Sequence, residues 1–230
     1  MSWMVKTRFS ASPAAPASKP GPMSTMAASP NARVSNGLKE FISLIGETNQ
    51  GRVLDLGQVS QATITFFIER GYRLSTEDML RSWKEYLTQE EEHLRLMPLG
   101  EDGERVSQAS LAEKFLESSL QYPPENFIGV ITWDLFDYLD AELMPRVIER
   151  LYTLLRPGGA VLSMFHSRPP ERFHRYRIVD GQSIELLSAP TLAVHARVFR
   201  NREILDTFGR FRSSKAFVGR DQLREGLFLK

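Results

Sequence analysis

The stretch ENFIGVITWDLFDYLDAELMPRVIERLYTLLRPGGAVLSMFH, residues 125–166, constrains the fold more than any other part of the chain. Phe127 to Trp133 is a nearly unbroken apolar run, as expected of a strand covered on both faces. Asp140 is placed to cap a helix whose Leu143, Val147, Ile148, Leu151 and Leu155 recur at helical spacing. Pro157, Gly158 and Gly159 stop that helix, and Ala160 to His166 read as a second buried strand. A strand, helix and strand joined this tightly close as a right-handed parallel crossover, which puts the chain in the α/β class.

The same alternation runs through most of the chain. Residues 37–46 place Leu38, Phe41, Ile42 and Ile45 on one helical face and stop at Gly46. Arg52 to Leu56 predict a strand, Ser60 to Arg70 a helix, Tyr72 to Ser75 a second strand, and residues 79–96 and 109–119 two further helices. A third parallel strand belongs between this last helix and Phe127, but no segment there has the pattern of one. Beyond His166, Asp180-Gly181 predicts a hairpin turn, residues 200–208 a helix, and FRSSKAFVG with QLREGLFLK a terminal antiparallel pair.

Residues 1–34 differ in kind. No acidic residue occurs from Met1 to Lys39, and the Ala/Pro/Ser-rich run is broken by prolines that oppose both a secretory core and an amphipathic transit helix. The expectation is a disordered tail, or translation from Met23 or Met26, ahead of one domain over residues 35–230. With 230 residues, 42% of them hydrophobic, a sizeable core is expected. A net charge of +1 gives no global reason to expect nucleic acid or membrane as partner, and no apolar run is long enough to span a bilayer. A soluble, cytoplasmic protein is expected. The absence of cysteine excludes disulfides and thiolate chemistry, and the four histidines show no metal-ligand spacing, so no metal is expected.

VLDLG at residues 53–57, TED at 76–78, the FIGVITWDLFDYL strand and LLRPGGAVLSMFH together resemble the class I S-adenosylmethionine-dependent methyltransferases over about residues 37–230. The resemblance implies a doubly wound, mostly parallel seven-stranded sheet of Rossmann-like type ending in an antiparallel hairpin. It implies S-adenosylmethionine as cofactor and an unidentified methyl acceptor, with a small molecule favoured. Asp55, Gly57, Glu77, Asp78 and Trp133 are the implied cofactor residues, and Asp134 and His166 the catalytic candidates. Independently, ligands of open parallel sheets bind beyond the carboxyl ends of the strands, and an acid about 20 residues past the first turn is placed to meet ribose hydroxyls. Glu77 lies 20 residues past Gly57 and Asp78 follows it.

Each residue has a second reading. Glu77 and Asp78 also suit the first turn of a helix capped by Thr76, Trp133 suits the core, Asp134 and Asp137 suit a solvated loop, and His166 a structural position. Gln58 to Gln61 stand where the family keeps two further glycines, and Ile128 stands where it commonly has aspartate. A non-catalytic methyltransferase-like protein is therefore the alternative. A dinucleotide oxidoreductase is disfavoured, because GQVSQAT lacks the G-x-G-x-x-G spacing. From Arg168 onward there are 13 Lys and Arg against 7 Asp and Glu, which suits an anionic substrate, an RNA backbone or a solvated hairpin.

Overall fold

The computed structural model describes residues 32–47, 51–96, 107–190, 196–219 and 222–230. Two sheets organise the chain. The larger has six strands among the described residues: β2 (Arg52–Asp55), β3 (Arg73–Thr76), β4 (Phe127–Trp133), β5 (Leu155–His166), β8 (Ser213–Val218) and β9 (Leu223–Leu229), in the order β3-β2-β4-β5-β9-β8. Pairings from β3 through β5 are parallel, and β9 runs antiparallel to both β5 and β8. The smaller sheet joins β1 (Ala32–Val34), β7 (Ser183–Ser188) and β6 (His174–Asp180) in the antiparallel order β1-β7-β6.

Local chemistry explains the helices. The Ser35 hydroxyl accepts from Leu38 N at 3.0 Å and starts α1 (Asn36–Gly46), which buries Leu38, Phe41 and Ile45. α2 (Gln61–Glu69) buries Phe66 and Phe67. α3 (Met79–Leu96) and α4 (Gln108–Ser118) stack Trp83 and Tyr86 around Phe115, with ring centroids 5.0–5.8 Å apart. Asp140 accepts from the backbone N–H of Glu142 and Leu143 at 3.0 and 2.7 Å, ahead of α5 (Leu143–Leu154). α6 (Asn201–Thr207) carries Ile204 into the core.

Alternation along β2 and β4 divides the core in two. Leu54, Phe127 and Val130 join α3, α4, α5 and α6 on one face, whereas Val53, Ile128, Ile131 and Trp133 join α1, α2 and the smaller sheet on the other. Glu225 of β9 ties the smaller sheet and α1 to the larger one. It is 2% exposed, and it accepts from Arg33 and from the N–H of Gly37, both at 2.6 Å.

Three expectations change. The sheet has six strands among the described residues where seven were expected: the described residues between α3 and β4 form α4 and a turn, and β3 stands at the edge of the described sheet. Ahead of residue 35, Ala32 to Val34 form a strand that pairs with β7, where a tail was expected; residues 1–31 lie outside the described set. β5 begins at Leu155 rather than Ala160, absorbing the Pro-Gly-Gly turn as an irregularity in its pairing with β4, with Gly158 at φ +79°.

Candidate functional site

The strand order reverses between β2 and β4, since from β2 the chain continues to β3 on one side and, later, to β4 on the other. At such a point adjacent loops diverge and leave a crevice. Asp55 ends β2 with Gly57 just past it, and Trp133 ends β4 with Asp134 just past it, so four of the residues singled out from the sequence meet there.

What fills the crevice is the indole of Trp133. A Cβ built on Gly57 would lie 2.3 Å from Trp133 Cδ1 and 2.7 Å from its Nε1, so only glycine leaves room for the ring. Trp133 sits at φ +50° beside an irregularity in the β4 to β5 register. A bulky residue in the left-handed region carries strain, and here the surrounding contacts hold it. The indole Nε1 donates to Asp55 Oδ1 at 2.7 Å, and the ring lies parallel to Tyr176 with centroids 5.2 Å apart and planes 6° apart. Ile178 N, two residues on, donates to Thr63 Oγ1 of α2 at 3.1 Å, fastening β6 over the crevice.

The space left over Gly57 is about 30 Å³. Small-molecule sites are typically roughly 300–1,000 Å³. S-adenosylmethionine therefore does not fit above Gly57 while Trp133 lies there. Beside this closed part is an open groove of about 850 Å³, lined by Gln58, Val59, Asp78, Lys84, Arg175 and others. Gln58 borders both spaces, whereas Gln61 points along its own helix toward Thr65 at 3.4 Å and stays out of the crevice.

The two acids after β3 diverge. Asp78 lines the open groove, accepts from Arg81 N at 3.3 Å, and is raised above the usual carboxylate range by partial burial. Glu77 gives its backbone N–H to the Asp55 carbonyl at 2.9 Å, and its carboxylate, after burial, helps push Tyr122 up to about 12. The structure thus brings Asp78, not Glu77, to the groove.

Asp55 is 2% exposed and also accepts from Gly57 N at 3.0 Å; burial raises it to about 6 against these two bonds. Asp134 accepts from the Tyr176 hydroxyl at 2.9 Å, and burial raises it to about 7. His166 lies 3.9 Å from Asp134 but is held by Asp137, whose Oδ2 accepts from His166 N at 2.8 Å and faces its Nδ1 at 2.9 Å. Burial also raises Asp137. Among the described residues no three of His, Asp and Glu are placed to hold a metal ion, and no helix is long and apolar enough to cross a membrane.

Sequence reasoning missed Tyr176, the partner of both Trp133 and Asp134. Its only signal is the alternation in RYRIV, which turns Tyr176 and Ile178 inward and the intervening arginine outward.

No protein-family model matches the chain, and no curated protein does. Solved structures similar to it include the Burkholderia thailandensis 1,6-didemethyltoxoflavin-N1-methyltransferase with bound 1,6-didemethyltoxoflavin and S-adenosylhomocysteine: 16% identity, TM-score 0.43, covering 84% of this chain and 77% of that one. The glycopeptide N-methyltransferase MtfA complexed with S-adenosylmethionine is 14% identical, with a TM-score of 0.41 and coverage of 85% and 94%. An S-adenosylmethionine-dependent methyltransferase from Mesorhizobium loti is 14% identical, with a TM-score of 0.41 and coverage of 84% and 98%. Similarity this remote does not say what this chain binds. Its own sheet is parallel from β3 through β5 and then reversed at β9.

Proposed function

We propose that the chain is an S-adenosylmethionine-dependent methyltransferase acting on a small-molecule acceptor, and that its cofactor crevice is closed by Trp133 in the conformation described above. One observation carries the reading: Asp55 at the end of one strand, Gly57 just past it and Asp78 after the next strand flank the reversal in strand order, beside a groove of about 850 Å³. In this reading Asp55 and Gly57 serve the methionyl end once the indole has withdrawn, and Asp78 the ribose. Asp134 and His166 stand on the acceptor side. His166 is the better placed of the two to meet an acceptor, because Asp134 is 5% exposed and already engaged with Tyr176.

The test is calorimetric titration of the full chain with S-adenosylmethionine and S-adenosylhomocysteine. Saturable binding that weakens in Asp55→Asn supports the proposal; Asn keeps an oxygen for both N–H donors but loses the charge. Folded protein that gives no binding heat at millimolar ligand, with Trp133 intact or removed, defeats it. The Trp133 to Tyr176 stack favours a second reading, a non-catalytic protein that keeps this fold with the crevice permanently filled. That reading requires the Trp133 variant, too, to bind nothing.

A further inference from the structure

Past the end of β5 a separate cleft of about 410 Å³ opens, with His166, Arg168, Glu171, Arg172, His174 and Gln222 among its walls. Two arginines of the basic C-terminal region meet in it. Arg177, Arg197, Arg202 and Arg210 each face a carboxylate; Arg168 and Arg172, like Arg175, Arg200 and Arg212, form no ion pair among the described residues, and of these Arg168 and Arg172 are the two that share this cleft, both exposed. The lining sets two guanidiniums against the single carboxylate of Glu171, which leaves a positive excess for a ligand.

His166 gives the cleft a directed polar group. Its Nδ1 faces the Asp137 carboxylate at 2.9 Å on a side chain 12% exposed; a carboxylate oxygen there calls for a proton on Nδ1, and in the neutral ring that leaves Nε2 to accept. His174 belongs both to this cleft and to the small space beside Trp133, so one imidazole separates the two. Its Nδ1 is buried with no hydrogen-bond partner, an unmet polar atom at the junction.

We propose that this cleft binds a small anionic molecule, held through a carboxylate or phosphate by Arg168 and Arg172 and offering an O–H or N–H to His166 Nε2. Guanidinium pairs suit such groups because they donate in a planar fork. A nucleic acid needs an extended basic track with aromatic platforms, and this cleft is instead a compact recess walled by Pro169, Pro170, Leu186 and Leu223. That the bound anion is the methyl acceptor rests on the reading given under Proposed function; that the cleft binds an anion does not.

The experiment follows the imidazole resonances of the full chain by NMR while inorganic phosphate or succinate is added, with chloride at matched ionic strength as control. The expected result is a saturable shift of His166 with at least one probe and a midpoint raised about tenfold or more in Arg168→Ala/Arg172→Ala, as loss of charged hydrogen bonds implies. Saturation with phosphate alone or succinate alone identifies which anion the cleft takes. Both arginines are exposed and unpaired, so the double variant should melt with the parent. No saturable shift, a shift reproduced by chloride, or one unchanged in the double variant overturns the proposal. No cofactor is added, so the outcome is independent of S-adenosylmethionine binding.

Discussion

Two of the recesses at the carboxyl edge of one sheet are built by opposite means. At the end of β2 and β4 the space is occupied by stacked aromatic rings, with only about 30 Å³ left over Gly57. At the end of β5 about 410 Å³ stays open and is lined by unpaired arginines and an oriented histidine. Aromatic burial and a carboxylate anchor stabilise the first as part of the core, so opening it has an energetic cost. The second is available as it stands. A sheet edge can therefore keep the positions of a ligand site while the part over Gly57 is filled and the spaces beside it stay open.

The sharpest way to break this contrast is Trp133→Ala. Removing a buried indole is expected to destabilise the protein by about 3–5 kcal/mol, read from chemical denaturation, while enlarging the space over Gly57. A loss below about 1 kcal/mol would mean that the ring is not part of the core. Gly57→Ala comes next. Its Cβ would lie 2.3 Å from the indole, and overpacking of this kind costs about 1–3 kcal/mol. The cost should largely vanish when Trp133 is also Ala, a non-additivity expected of direct contact.

Tyr176→Phe removes the hydroxyl that donates to Asp134 and leaves a buried carboxylate with one bond fewer, at a cost of about 1–3 kcal/mol. The cost is pH-dependent. Burial raises Asp134 from 3.8 to about 7 and Asp55 from 3.8 to about 6, so the folded state holds protons that the unfolded chain has released. Their contribution to stability is fully present below pH about 4 and is lost as pH rises through about 6 to 7. Urea denaturation across that range should show stability falling with pH and the fall shrinking in Asp134→Asn. A curve that rises instead would show that these carboxylates are ionised and well paired. The smallest effect on folding is expected of Arg168→Ala/Arg172→Ala, within about 0.5 kcal/mol of the parent by thermal melting, in contrast to its loss of anion binding.

Much of the sheet was legible in the sequence, because strands covered on both faces must be apolar throughout. Phe127 to Trp133 has the same ends in sequence and structure, and Asp140 stands ahead of α5 with its carboxylate on the first N–H groups. Ala32 to Val34 were not legible: three residues without an apolar pattern become a strand only by pairing with β7, 151 positions on in the case of Arg33 and Ile184. For the site, the sequence brought Asp55, Gly57, Trp133 and Asp134 to one place but could not say what occupies it. The meaning of Gly57 depends on the χ angles of Trp133 and on a hairpin more than 110 residues later that supplies Tyr176. Local patterns carry neither. Asp78 and Glu77 are adjacent in sequence, and only the turn after β3 decides which of them faces the groove.

The most direct test of the account is calorimetric titration of S-adenosylhomocysteine into the parent and into Trp133→Ala, each first shown by its melting curve to be folded. The account predicts saturable binding by both, tighter in Trp133→Ala because the ligand no longer has to displace the indole from Gly57. Binding by the parent that is equal to or tighter than that of the variant would contradict the claim that Trp133 closes the crevice.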